Sequence, residues 1–145
     1  MTSHILHRQM KTPLPVIARS DGIYLFDSDG KKYLDGSGGA AVSCLGHGHP
    51  RVTEAIKNQI DKIAFAHTGF FTNEPAEELA AWLCERAPGA FGRVVFAAGG
   101  SEAVEAALKI ARQVHVERGE AQRYHFIARR QSYHGATLGA MSAGY

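Results

Sequence analysis

The sequence predicts an α/β fold in which a parallel sheet begins and is not completed. Two short apolar runs, Arg93–Ala97 and Tyr124–Ala128, are predicted strands, and between them an apolar stripe at helical spacing begins near Ser101. Strand, helix and strand in this order form the repeating unit of a parallel sheet. Because one such unit does not make a stable sheet, we expect the remaining strands to come from further sequence or from a partner chain.

The N-terminal part predicts an arm followed by a hairpin. Residues 1–15 are polar and contain two prolines, which suits an extended arm. Two alternating apolar runs, residues 23–27 and 32–35, flank Asp29-Gly30, and this arrangement predicts a β-hairpin. The small residues at 36–41 fit either a flexible loop or a backbone segment that passes close to a ligand or another chain.

Two more helices are predicted before the sheet unit, and a short one after it. The first follows Pro50 and has an apolar stripe of Val52, Ala55, Ile56, Ile60 and Ile63. The second begins after a predicted N-cap, Asn73, and stops at Pro88-Gly89. The helix that begins near Ser101 ends near Gly119, and a helix of small residues is predicted after residue 135.

The composition excludes several classes of function. The chain has 145 residues, 21% charged, and a formal net charge of +2, so nothing indicates a nucleic-acid partner. Cys44 and Cys84 form no CxxC pair, which argues against a disulfide scaffold or a zinc ribbon. The N-terminus has no signal-peptide pattern and no apolar run could cross a bilayer, so we expect a cytoplasmic protein without a membrane partner.

The turn Gly99-Gly100-Ser101 is a candidate phosphate site. It lies between a predicted strand and a predicted helix, where the first amides of the helix lack internal partners and the helix dipole favours an anion. It is neither a Walker loop nor a dinucleotide fingerprint. A purely geometric and capping role is about equally well supported by the turn alone, and for Glu102 the structural role in the first turn is favoured.

Two other segments invite a functional interpretation. Ser132–Gly135 follows the second predicted strand, so its Tyr133 ring is expected at the same sheet edge as the phosphate turn. The spacing alone nevertheless favours a Tyr133 that caps the core with its hydroxyl in water. His47-Gly48-His49 has no third ligand at metal spacing, which favours structural turn residues and predicts no metal site.

Taken together and in order, these segments resemble the class III pyridoxal-phosphate-dependent aminotransferases. The resemblance runs from about residue 20 to 143 and rests on five colinear motifs: Asp21-Gly22 with Asp29-Gly30, Tyr33–Gly36, Gly46–Pro50, Gly100–Ala103 and Tyr133–Gly135. It implies fold type I, with residues 1–55 as N-terminal arm and small-domain segment and residues 56–145 as the first part of a mostly parallel-sheet, cofactor-binding large domain.

The resemblance also implies the cofactor, pyridoxal 5'-phosphate, and the residues that bind it. Gly100 and Ser101 would hold its phosphate, Tyr133 would stack on its pyridine ring, and His134 and Gly135 would shape the same loop. Residues 40–45 would line the substrate side. The substrates would be a primary amine or amino acid and a 2-oxo acid, in a homodimer whose active site lies at the interface.

Departures from the family pattern define the alternatives. The family often has Asn and Ser where this chain has Ala98 and Gly99, and diaminopelargonic-acid aminotransferases have tryptophan at Ala40-Ala41. The Asp that meets the pyridine nitrogen and the Lys that binds the cofactor come later in the family, so no catalytic residue is expected in this chain and the chain alone should be inactive. An aminomutase or decarboxylase of the same fold, or a non-catalytic protein that binds a phosphorylated ligand, are the alternatives.

Overall fold

The computed structural model describes residues 3–144 and separates two units, Met1–Phe70 and Phe71–Tyr145. The strands lie in the first unit and the longest helix lies in the second. Residues 3–16, which precede the first strand, form neither helix nor strand. The predicted domain boundary after residue 55 stays a prediction.

The first unit contains a three-stranded antiparallel sheet with the order β1-β2-β3. β2 (Tyr24–Asp27) and β3 (Lys32–Leu34) form the predicted hairpin, with Leu25 opposite Tyr33. β1 (Ile17–Asp21) pairs with the other edge of β2. β1 was not predicted, because its residues are exposed along their whole length and show no apolar alternation.

Asp27 fixes the turn of the hairpin. Its Oδ1 accepts hydrogen bonds from the amides of Asp29, at 3.0 Å, and Lys31, at 2.8 Å, and its Oδ2 accepts one from the Tyr33 hydroxyl at 2.7 Å. The Tyr33 hydroxyl, above all, lowers the pKa of this buried carboxyl. Gly30 supplies the left-handed residue of the turn, with φ of 82°. The Asp-Gly signal thus predicted the turn correctly.

The predicted helices are present with close to their predicted bounds. α1 (Gly38–Ala41), a single turn with left-handed backbone angles, was not predicted, and the predicted helix α2 (Pro50–Lys62) follows it in the first unit. The second unit contains α3 (Glu74–Arg86), α4 (Gly100–Glu117) and α5 (Leu138–Ala143). The Asn73 side chain caps α3 by accepting a hydrogen bond from the Ala76 amide at 3.1 Å, as predicted. Gly119, just past the end of α4, has φ of 75°.

The two predicted strands of the parallel sheet are not formed, so this part of the prediction is wrong for the chain as it stands. Residues 93–97 and 124–128 have no strand hydrogen-bond ladder, and the described residues contain no parallel pair. A parallel strand obtains its backbone hydrogen bonds from neighbouring strands, and such sheets are normally covered on both faces. The apolar composition of these segments is typical of strands, but the described chain contains no neighbouring strands with which they could pair.

Burial is sparse throughout the described chain. Within residues 3–144 the buried residues are Asp27, Gly135 and Ala140. The apolar stripe of α2 is exposed, with Ile56 at 55% and Ile60 at 58%. Among the same residues, no helix is both long and apolar enough to span a membrane.

Candidate functional site

The N-terminus of α4 forms an open turn in the second unit. Gly99 is the N-cap, with extended backbone and no side chain to cap the helix, and its carbonyl accepts the amide of Ala103 at 3.0 Å. The amides of residues 100–102 precede the first intrahelical bond and can bind an anion. A Cβ placed on Gly100 would meet nothing within 4 Å, so the space beside Gly100 is open, whereas one placed on Gly99 would lie 2.9 Å from Glu102 Oε2. Glu102 lies in the first turn, the position that its structural interpretation predicts.

Ser101 connects this turn to the loop that carries Tyr133. Its Oγ accepts a hydrogen bond from the Ala136 amide at 3.0 Å, across 35 residues of sequence. A serine hydroxyl that accepts from an amide still has its own O–H to donate. The structure therefore brings together the phosphate turn and the Tyr133 loop, which the sequence predicts at one edge of a sheet. The predicted strands that lead into these two segments are not formed.

Gly135 allows the close approach of the two segments. It is buried, and its φ of 132° is a backbone conformation that other residues rarely adopt. A Cβ at this position would lie 2.7 Å from Ser101 Oγ and 2.9 Å from the Cβ of Ala140. Only glycine can therefore occupy this position without moving the Ser101 turn or α5.

Tyr133 and His134 precede this contact. The Tyr133 side chain is 82% exposed, and His134 is half-buried. An exposed ring is available for stacking on a flat ligand, and it caps no core formed by this chain. The roles of Gly100, Ser101, Tyr133, His134 and Gly135 in cofactor binding stay predictions.

Glu105 is a residue of this site that no sequence motif identified. Its Oε1 accepts a hydrogen bond from the Gly139 amide at 2.7 Å, at the start of α5. The neighbouring Thr137 hydroxyl, followed by the Gly139 amide, lowers the pKa of Glu105, and burial opposes them. Thr137 Oγ1 itself has no hydrogen-bond partner within the described chain, so the Gly139 contact is the one that the geometry supports. The signal that could have found it is the spacing of four residues from Ser101, which places both side chains on one face of α4.

A second polar cluster lies in the first unit, around Asp35. Its Oδ2 accepts hydrogen bonds from His47 Nε2 at 2.8 Å and Ser43 Oγ at 3.0 Å, and its Oδ1 accepts one from Ser37 Oγ at 3.2 Å. The His47 ring is the main cause that lowers the pKa of Asp35 from 3.8 to about 2, with the Ser43 hydroxyl second. Ser43 bonds to the carboxylate and not to the imidazole, so the cluster is not arranged to activate a serine nucleophile.

The Asp35 cluster brackets the segment of small residues. Residues 38–41 form a turn in left-handed conformations, with φ of 59° at Ala40 and 70° at Ala41. Such conformations are unfavourable for alanine and persist where the surroundings hold them. Ser37 and Ser43, on either side of the turn, both bond to Asp35. In the structure the segment is a turn, and the two expectations for it, a flexible loop or a backbone close to a ligand or another chain, stay predictions.

The His47-x-His49 segment has a structural contact in this unit. His47 binds Asp35, and its amide donates to the Gly22 carbonyl at 2.6 Å. Gly46 packs against the same carbonyl, which a Cβ would approach to 3.1 Å. Across residues 3–144 no group of three His, Cys, Asp or Glu side chains is placed to hold a metal ion.

Comparison with known families gives a match over almost the whole chain. The model of the family "Aminotransferase class-III" matches residues 5–145. Among curated proteins, the chain is 45% identical over 142 residues to the uncharacterized aminotransferase YodT of Bacillus subtilis (strain 168). That match covers 98% of this chain and 32% of the relative, so the chain spans about a third of the length of this relative.

Solved transaminase structures share the fold of the chain. A thermostable (S)-enantioselective omega-transaminase from Thermomicrobium roseum matches with a TM-score of 0.89 and 38% identity, over 98% of this chain and 34% of that one. An amine transaminase from an uncultivated Pseudomonas species, solved in its PLP-bound form, matches with a TM-score of 0.88 and 35% identity, over 98% and 34%. These neighbours have fold type I, which confirms the predicted fold class.

Proposed function

Since the chain belongs to the class III aminotransferases, we propose that the full-length protein is a pyridoxal-phosphate-dependent transaminase to which this segment contributes part of the cofactor site. The observation that carries the proposal is the hydrogen bond between Ser101 and Ala136, which joins the anion-binding turn to the Tyr133 loop. The reaction would move an amino group from a primary amine or amino acid to a 2-oxo acid, in a cytoplasmic homodimer.

The donor set of the site fits the cofactor phosphate. The first amides of α4 and the Ser101 hydroxyl are hydrogen-bond donors, and the space over Gly100 is open. Charge-assisted hydrogen bonds of this kind are stronger than those between neutral groups. Ala98 and Gly99, which stand where the family often has Asn and Ser, leave the backbone donors in place.

The Tyr133 loop fits a flat ring beside that phosphate. The exposed Tyr133 side chain would stack on the pyridine ring, and Gly135 lets the loop pass directly over the Ser101 turn. When bound, the cofactor supplies the electron sink for the reaction. This chain binds and orients it, and the lysine that holds it covalently is expected outside these residues.

Activity measurements on the 145-residue chain and on the full-length protein test the proposal. The purified 145-residue chain with added pyridoxal phosphate is expected to show no transaminase turnover. The full-length protein, supplied with amine donors and 2-oxo acids, is expected to turn over and to carry the visible absorbance of bound cofactor. Full-length protein that binds no pyridoxal phosphate would contradict the proposal. Turnover by the 145-residue chain, free of contaminating enzyme, would contradict the expectation that the catalytic lysine lies outside these residues.

A further inference from the structure

Two side chains on one face of α4 hold the segment that follows the Tyr133 loop. Ser101 and Glu105 are four residues apart, so they lie above one another on the helix. Ser101 Oγ accepts the Ala136 amide at 3.0 Å, and Glu105 Oε1 accepts the Gly139 amide at 2.7 Å. Only two residues, Thr137 and Leu138, separate the two points of attachment, which fixes the path of this segment against α4.

The Glu105 carboxylate lies directly against the backbone at the start of α5. A Cβ on Gly139 would lie 2.5 Å from Glu105 Oε2 and 2.8 Å from its Oε1, so the backbone is pressed directly against the carboxylate. Ala140, next in sequence, is 0% exposed. It also lies within 2.9 Å of the position that a Cβ on Gly135 would take. Burial in the second unit is thus concentrated where α5 and the loop meet α4.

The chemistry of Glu105 suits attachment of a helix start. The first amides of α5 have no acceptor within the helix, and an ionised carboxylate can accept several of them at once. The hydrogen bond from the Gly139 amide and the nearby Thr137 hydroxyl keep the pKa of Glu105 below its usual value, so the carboxylate is ionised at neutral pH. The side chain of Thr137, the N-cap of α5, makes no capping hydrogen bond. The Glu105 carboxylate instead accepts an amide of the first turn, that of Gly139.

We infer that Glu105 is a positioning residue for cofactor binding: by holding residues 137–140 against α4, its carboxylate sets where the Tyr133 loop stands relative to the phosphate turn. Glu105 itself touches no cofactor in this arrangement, because it lies one helical turn beyond Ser101 and faces α5. This role rests on the proposed function, since it presumes that the loop and the turn bind one ligand.

Substitutions of Glu105 in the full-length protein test the inference, with Glu117→Ala as the matched control. Glu117 is an exposed glutamate in the last turn of the same helix. Three quantities are measured: the dissociation constant of pyridoxal phosphate, the visible circular dichroism of the bound cofactor, and hydrogen exchange in peptides that cover residues 132–144. The circular dichroism reports how the protein holds the pyridine ring of the cofactor. A residue that only supports folding would leave this signal unchanged.

We expect Glu105→Ala to weaken cofactor binding by up to roughly tenfold, because the lost hydrogen bond to a charged group holds the loop and acts on the cofactor only through the position of the loop. It should also change the circular dichroism and raise exchange in residues 132–144. Glu105→Gln keeps one acceptor oxygen and should give intermediate values, and it serves as the test if Glu105→Ala does not fold. Glu117→Ala should match the wild type in all three measurements.

The failures can be told apart. Faster exchange in both Glu105 variants with unchanged cofactor affinity and circular dichroism would overturn the positioning role and leave the proposed function intact. A wild-type protein that binds no pyridoxal phosphate would overturn the proposed function and the positioning role with it. Glu117→Ala with the same losses as Glu105→Ala would show that the effect belongs to the helix in general, and would also overturn the inference.

Discussion

Ser101 makes one contact that the structure describes and one that we propose. Its Oγ accepts the Ala136 amide, and its O–H would donate to the cofactor phosphate. The family pattern identified this serine among several in the chain, whereas the contact with Ala136 could not be read from spacing. The two contacts use different parts of the same hydroxyl, so they are compatible.

Ser101→Ala in the full-length protein is expected to weaken cofactor binding by about one to two decades, because a hydrogen bond to a charged group contributes roughly 1.5–3 kcal/mol. The backbone amides of α4 remain, so binding should persist. Equilibrium titration with pyridoxal phosphate measures the change. Ser142→Ala, which removes a hydroxyl bonded only within α5, is the control. Equal affinity in Ser101→Ala and wild type would mean that Ser101 serves the loop alone.

Tyr133 is expected to act through its ring face. Tyr133→Phe should keep most of the cofactor affinity, while Tyr133→Ala should lose about 0.5–1.5 kcal/mol from stacking and more from lost burial. Melting temperatures with and without cofactor, together with cofactor affinities, check this. If Tyr133→Ala lowered the melting temperature equally in both states and left the affinity unchanged, the ring would be a core cap, the alternative that the sequence first favoured.

Asp35 gives the first unit a predictable response to acid. Its pKa is lowered from 3.8 to about 2 in the folded chain, so the unfolded chain binds this proton more readily. Its contribution to stability is therefore complete above about pH 4 and is lost as the pH falls through about 2. The difference in melting temperature between wild type and Asp35→Asn should shrink over this range. A difference that stays constant from pH 5 to pH 2 would contradict the assignment.

At the scale of elements, local signals located the hairpin and the helices. Asp-Gly at the turn, Asn73 before α3 and glycine after α4 each act on neighbouring residues, so they operate without the rest of the fold. The predicted strands at 93–97 and 124–128 have no such local support. Their hydrogen bonds must come from other strands, and the described chain does not provide them.

The N-cap of α3 offers a test at this scale. Asn73→Ala removes the acceptor for the Ala76 amide and should destabilise the first turn of α3 by about 1 kcal/mol. Asn73→Asp keeps an acceptor and adds a charge that the helix start favours, so it should match or exceed the wild type. Native-state hydrogen exchange of the first-turn amides measures both. Equal protection in the alanine variant would show that packing, and not the cap, holds this turn.

At the scale of the whole molecule, the chain exposes many large apolar side chains. Phe65, Ile127 and Leu138 are 76%, 102% and 82% exposed, and the apolar stripe of α2 is bare. Exposure on this scale is typical of surfaces that other protein covers. The share of its relatives that the chain spans, about a third, fits that view.

The isolated chain is therefore expected to bind a hydrophobic dye strongly. Fluorescence of anilinonaphthalene sulfonate with the purified 145-residue chain should exceed, per mole, the signal with the full-length protein, in which we expect these surfaces to be covered. Co-expression with the remaining sequence should lower it. A weak dye signal from the isolated chain would show that it covers its own apolar faces in solution.

The sequence by itself determined the family, the fold class and the local elements, because caps, turns and motif spacing depend on residues near one another in the chain. It also marked Gly100, Ser101 and the Tyr133 loop as candidates. Only the tertiary structure revealed Glu105, the Asp35 cluster and the need for glycine at 135, since each joins segments that no local pattern connects. The sequence predicted that a shared sheet edge would bring the phosphate turn and the Tyr133 loop together. In this structure hydrogen bonds from side chains of α4 hold the segment that follows the loop, because a side chain on a helix can make them without a neighbouring strand.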